Sequence, residues 1–416
     1  MNVRLVVVAA VAVVSLAGCA SQQDASGPAG TWVGTITTEG DVTTVTNESG
    51  SVWGGSASLV EEASIGAAEG SDAEMLGLVR SVAMTDRRIY VLDASVGVVR
   101  AYSVGGEYVG DISRPGEGPG EYRQPMELGV ADDGRLFIHD AAERRLSMFS
   151  ADGAFLRSYF LPFRRDVGFV ATLNGDTFGP VIVDPEQPYE RLATGMLAYG
   201  PEGATGEPIV PPRYDVEIPR VAGARSIAVP HAPDYVWAMD FERNMVAGVS
   251  GTYAFEIARL DGSRVVVRSY QKQVPISVEE RNDLIEQTTA FIRMRNGNAT
   301  WTGPEVARVK PAFVRFLPTR SGETWVVRPG PSSKIERPDG SVRWRDTYTI
   351  DAFDRDGRFL GAVEMPAEVQ SWIRYYATGE VARFAFVRGD AVVMPFEDDA
   401  GTIMVKRYRL VLPGDA

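Results

Sequence analysis

The sequence predicts an all-β chain of four-stranded units set radially, a six-bladed β-propeller. Three observations carry this: a hairpin that recurs five times, a second strand pair upstream of each hairpin, and a last unit that ends one strand short. The recurring hairpins are RAYSVGGEYVGDI (100–112), SMFSADGAFLRSY (147–159), LAYGPEGATGEPI (197–209), EIARLDGSRVVVR (256–268) and DAFDRDGRFLGAV (351–363). Their turn glycines, Gly106, Gly153, Gly203, Gly262 and Gly357, each fall four residues after Tyr102, Phe149, Tyr199, Ala258 or Phe353. Glycine after Asp or a small residue, between alternating apolar runs, marks a tight β-turn because it tolerates positive φ.

The upstream pairs follow in order: LVRSVAM with RIYVLD, MELGVA with RLFIHD, GFVATL with TFGPVIV, RSIAVP with DYVWAMD, AFVRFLP with ETWVVRP, and RFAFVRG with AVVMPFE. Six starts against five hairpins leave the last unit with IMVKRYRLVL (403–412) as its third strand and no fourth. An open sheet edge invites aggregation. The alternating WVGTITTEGDVTTVTN (32–47) is therefore expected to supply the missing outer strand. Seven blades is the competing count, because Ala258 and Phe353 stand 95 residues apart.

The amino terminus has a separate logic. Arg4, an apolar run from Leu5 to Val14 and small residues before Cys19 read as a signal peptide over 1–18. The apolar run is shorter than the roughly 20 residues that a membrane-spanning helix needs. Residues 19–30 read as a flexible polar tether and 31–413 as the propeller. Without residues 1–18 the chain carries 41 basic and 55 acidic side chains, a net charge of −14, which disfavours a nucleic-acid partner. Cys19 is the only cysteine, so the folded part is expected to hold no disulfide and no thiolate-bound metal.

Two resemblances sharpen this reading. Leu16-Ala17-Gly18-Cys19 resembles the bacterial lipobox, which implies cleavage before Cys19 and lipidation of its thiol. Ala20 after it, in place of Asp, implies by the sorting rule of such lipoproteins an outer-membrane protein facing the periplasm or the cell surface. GEYRQPMELGVADDGRLFIHDAAERRLSMFSADGAF (120–155) resembles an NHL repeat, and with GEGPGEY (116–122) it is similar to the six-bladed propeller lipoproteins of bacteria. The third to fifth units depart from that pattern by insertion.

Candidate sites were sought against that frame. RPGEGPGEYRQP (114–125) has the glycines of a phosphate loop, but it carries two carboxylates, lacks Lys and leads into a strand, so it reads as a connector between blades. His139 and His231 are the only histidines, and no HExxH, CxxC or GxSxG occurs, so no metal site and no cofactor are expected. Asp354 and Asp356 in FDRDGRF are expected to shape a hairpin. SVEERNDLIEQTTAFIRMRNG (277–297) predicts a helical insertion, with Ser277 and Glu280 as a capping box and Leu284, Ile285, Thr288, Phe291 and Ile292 on one face. A second helical segment is expected over 366–379.

Basic residues recur where inner strands begin, among them Arg164 and Arg220. Arg80, Arg123, Arg165, Arg225, Lys310 and Arg383, with the aromatics Tyr122 and Tyr376, form the candidate ligand-binding set, suited to an anionic group. No catalytic residue is assigned. The functional expectation is a lipid-anchored envelope propeller that binds a protein, peptide or anionic glycan partner without chemistry. The alternative is a propeller lyase or hydrolase acting on an envelope polymer or small molecule at the channel mouth.

Overall fold

The computed structural model describes residues 30–415 except 163–167, 184–193, 217–218, 222–223, 271, 297–299, 337–341, 367–384 and 399. The lipidation site at Cys19, the signal and most of the tether thus lie outside the described residues, as does nearly all of the segment 366–379.

Three strands open the chain: β1 (Val33–Glu39), β2 (Val42–Ser49) and β3 (Ala57–Ile65). Six blades follow, each written from its innermost to its outermost strand. Blade one is Val79–Met84, Arg88–Asp93, Val98–Ser103 and Tyr108–Asp111. Blade two is Pro125–Val130, Leu136–Asp140, Arg145–Phe149 and Phe155–Phe160. Blade three is Val170–Ala171, Thr177–Ile182, Thr194–Gly200 and Gly203–Ile209. Blade four is Tyr235–Met239, Met245–Val249, Ala254–Ala258 and Arg264–Ser269. Blade five is Arg315–Pro318, Thr324–Glu336, Val342–Phe353 and Phe359–Glu364. Blade six is Phe386–Arg388, Ala391–Glu397, Ile403–Val411 and, outermost, β3.

The five predicted turn glycines all take positive φ, between 86° and 98°. Burial falls from the axis outward: every residue of Pro125–Val130 is buried, whereas Phe155–Phe160 on the rim is mostly exposed. Such an inner strand reads as a largely apolar run, since it is covered on both faces by neighbouring blades. Between blades four and five the filling is aromatic, with Phe255 and Phe353 packed edge to face at 5.2 Å and Phe313 and Phe316 at 4.9 Å.

Two expectations are corrected. The missing outer strand of blade six is β3, antiparallel to Ile403–Val411, and not residues 32–47. The latter form the β1–β2 hairpin, and β2 adds in parallel to the outer strand of blade four, Val42 opposite Arg264 through Asn47 opposite Ser269. Between the two, Val52 and Trp53 donate their amides to the Phe359 and Leu360 carbonyls of blade five. Residues 33–65 thus run as a belt over the rims of blades four, five and six. In blade four, RSIA lies in a separate two-stranded sheet (Arg220–Val221 with Ala224–Ala228), and the blade starts at Tyr235. Its first turn contains no glycine: Asp240 accepts the Glu242 and Asn244 amides while Arg243 takes φ 73°.

Asn47, 5% exposed, locks the belt. Its side-chain amide donates to the Arg268 and Gly357 carbonyls at 3.2 and 3.0 Å, and its oxygen accepts the Trp32 indole and the Phe359 amide at 2.7 and 2.8 Å. Asn47→Ala strands these groups between blades, so a loss of about 2–3 kcal/mol is expected, read from the midpoint of urea unfolding.

Candidate functional site

The blades surround a cavity of about 390 Å³. Its wall comes from inner strands and their flanks: Glu127 of blade two, Phe169 and Val170 of blade three, Tyr235 and Trp237 of blade four, Arg315 and Phe316 of blade five, and Phe386 of blade six. The lining is mostly aromatic and aliphatic, with two carboxylates, Glu127 and Asp234, and one guanidinium. Glu127 is buried and accepts the Phe169 amide at 2.8 Å. Burial pushes the Arg315 guanidinium down to about 10, which leaves it cationic at neutral pH.

At the end where the first two strands of each blade turn, the cavity has a floor. The Arg320 side chain, 2% exposed, crosses from blade five to blade two, donating to the Val130 carbonyl at 2.8 Å and to Asp132 at 2.7 Å. Its guanidinium also lies 4.9 and 6.0 Å from the rings of Phe241 and Phe386, which line the cavity. Arg388 of blade six reaches the same Asp132 at 3.0 Å and Asp86 of blade one at 2.9 Å. Four blades meet in this one network.

On the opposite face the connectors between blades are longer. The helix α1 (Val278–Asn296) forms inside the predicted span, with the Ser277 hydroxyl accepting the Glu280 amide at 3.0 Å. Its seam differs by one position from the expected one: Thr289 and Ile292 are buried, whereas Phe291 is 41% exposed. The helix sits against the long hairpin of blade five, Trp344 donating to Asp283 at 3.0 Å and Lys334 pairing with Glu279 at 2.6 Å. The Glu280 side chain does not close the capping box. It accepts the Ser332 hydroxyl at 2.5 Å instead.

The sequence-derived candidates are held by separate sets of partners. Arg80 stands on the inner strand of blade one, with Nη1 3.4 Å from the Met126 sulfur. Tyr122, 1% exposed, accepts the Val99 amide at 3.0 Å and donates to the Ile112 carbonyl at 2.6 Å, so it is a pin between blades. Arg123 is exposed beside Glu117 and Glu143. Lys310 is 1% exposed, and its ammonium donates to the Gly330 carbonyl, Ser332 Oγ and Asp346 Oδ1 at 2.6, 2.6 and 2.9 Å. Three acceptors surround Nζ, one for each of the three donors of an ammonium. Burial acts to raise the Asp346 carboxyl, but the charges of His231 and Lys310 and its hydrogen bonds outweigh this and hold it below the ordinary value. Arg225 lies in a described strand, but its side chain, like Arg165, Tyr376 and Arg383, is outside the described residues.

Arg315 and Glu127 were missed. The signal was present: each is the one charged residue in an otherwise apolar inner strand, VRFLP and MELGV. His139 is a core histidine, edge to face with Phe169 at 6.3 Å. Asp354 accepts the Asp356 and Arg358 amides in its hairpin.

Residues 43–176 match a family described as a 6-bladed beta-propeller. A member of the DUF4221 family from Bacteroides vulgatus superposes with a TM-score of 0.52 at 13% identity, over 86% of this chain and 99% of that one. This chain is a six-bladed β-propeller. The virginiamycin B lyase of Staphylococcus aureus superposes with a TM-score of 0.36 at 11% identity, over 80% of this chain and 95% of that one. No curated protein matches. Among the described residues, no helix is long and apolar enough to cross a membrane.

Two predictions test the frame of the cavity. Tyr122→Phe is expected to cost about 1–3 kcal/mol, measured by urea unfolding, because two buried backbone groups lose their partner. Burial acts to raise the Asp132 carboxyl, but Arg320 and Arg388 hold it below its ordinary 3.8. Its contribution is therefore present above about pH 4 and fades as the pH falls through the lowered folded value. Asp132→Asn should lower stability at pH 7 by about 1–2 kcal/mol, the carboxylate being half-exposed, and shrink the difference in stability between pH 7 and pH 3.

Proposed function

We propose that the protein is a lipid-anchored receptor of the cell envelope that binds the acidic end of a peptide or glycan in its central cavity, without chemistry. The carrying observation is the combination of Arg315 with the rings of Phe169, Tyr235, Trp237, Phe316 and Phe386 around one cavity of about 390 Å³. That volume is in the range of small-ligand sites, which are mostly apolar with a few convergent polar groups. Aromatic faces suit the apolar face of a sugar ring or a peptide side chain, and a guanidinium suits a carboxylate. Glu127 and Asp234 in the same wall disfavour a ligand with a second negative charge nearby. The lipid anchor and the outer-membrane address rest on the sequence around Cys19.

The test is a panel of short acidic peptides and uronic-acid oligosaccharides titrated against purified protein by calorimetry. Ligands that bind are expected to lose at least tenfold in affinity to Arg315→Met and to Trp237→Ala, and to be recovered unchanged after prolonged incubation. Affinity indifferent to both substitutions would remove the cavity as the site, and consumption of the ligand would replace the receptor by an enzyme.

A further inference from the structure

Away from the cavity, four stretches distant in sequence bring ionisable side chains together. His231 comes from the turn entering blade four, Glu280 from the first turn of α1, Lys310 from the approach to blade five, and Asp346 with Ser332 from the long hairpin of blade five. The side-chain donor atoms of His231, Glu280 and Asp346 all lie within 4.8 Å of one another. Ser332 Oγ lies 2.5 Å from Glu280 Oε1 and 2.8 Å from Asp346 Oδ1.

Lys310 offsets Asp346, while the Glu280 carboxylate, 5% exposed, has His231 Nε2 at 3.9 Å. That spacing is too long for a hydrogen bond. It is close to the spacing of two donors on one ion, because tetrahedral ligands about 2.1 Å from a shared zinc stand about 3.4 Å apart. The widest pair, at most 4.8 Å apart, closes to that spacing with a shift of about 1.4 Å, within the reach of a carboxylate side-chain rotation. His231 also holds φ 56°, a conformation uncommon for a residue with a side chain, and it carries the imidazole to this cluster.

We infer that His231, Glu280 and Asp346 form a binding site for a divalent cation of the zinc type. One imidazole nitrogen with two carboxylates suits such an ion better than calcium, which prefers six to eight oxygens. Three protein donors leave a fourth position for water. Lys310, bound to Asp346, orients that ligand from behind. The ion would tie the entry of blade four, the helix and the blade-five hairpin at one point. No motif spans these residues, since they stand 49 and 66 residues apart, which is why a search for local metal signatures passes over them. The site is independent of the cavity, and its failure leaves the receptor reading untouched.

The test uses the purified protein, stripped with chelator and titrated with zinc chloride by calorimetry, alongside thermal unfolding. One ion per chain with micromolar or tighter affinity is expected, together with a higher unfolding temperature. Glu280→Gln and His231→Asn should each weaken binding at least tenfold. Asparagine is chosen because it tolerates the left-handed backbone at 231, and the metal-free unfolding temperatures of the variants report whether the fold is kept. No saturation by 1 mM zinc would overturn the inference and leave an imidazolium–carboxylate pair. So would affinity unchanged in both variants, or magnesium and calcium binding as tightly as zinc, either of which would describe a surface acidic site.

Discussion

A guanidinium that is almost fully buried joins blade five to blade two across the axis of the ring. Consecutive blades pack side by side in this fold, so the width of the cavity depends on what spans it. Arg320 does so with two donor sites committed, one to a backbone carbonyl and one to Asp132, and with Phe241 and Phe386 on its face. Removing charge from water is costly unless geometry and hydrogen bonds repay it, and here both do. Arg388 adds blades six and one to the same carboxylate. The floor is thus polar where the walls are apolar, and a ligand in the cavity meets hydrocarbon and aromatic surface above a rigid base.

The sequence was most legible where backbone geometry is demanding. Positive φ after a short apolar strand requires glycine, and Gly106, Gly153, Gly203, Gly262 and Gly357 therefore announce their hairpins. Asp93 and Asp140 end their strands for a related reason. Asp140 accepts the amides of Arg123, Gln124, Ala142 and Glu143, tying the incoming connector to the next turn, and Asp93 does the same for Gly77, Leu78 and Ser95. In blade four the hairpin 256–268 was legible, but the inner pair was placed one strand too early because Asp240 and Arg243 build its first turn without glycine.

The site was less legible, for physical reasons. A basic residue near a strand end has many fates, and the chain distributes them: Arg123 to surface carboxylates, Lys310 to a buried network, Arg80 to the inner wall of blade one. Composition cannot separate these, because the difference lies in which loops converge. The informative sign was a charge inside an apolar inner strand, as at Arg315 and Glu127, where burial of a charged group calls for a reason. Likewise the belt could be foreseen as an amino-terminal strand, but Thr-rich β1–β2 and β3 alternate alike, and only pairing in space distinguishes them.

The belt has a consequence for how the chain reaches this state. The outer strand of the last blade is residues 57–65, and its antiparallel partner, 403–411, comes later in the chain than all six inner strands. Blades one and two can assemble from local contacts as they emerge, but the ring stays a curved, open array with β3 unpaired on that side until the final strand is available. Closure is therefore a late, long-range step, of the kind that is slow because its loop entropy is lost before its contacts form. A chain without Ile403–Val411 lacks the seam that turns six consecutive sheets into one closed body.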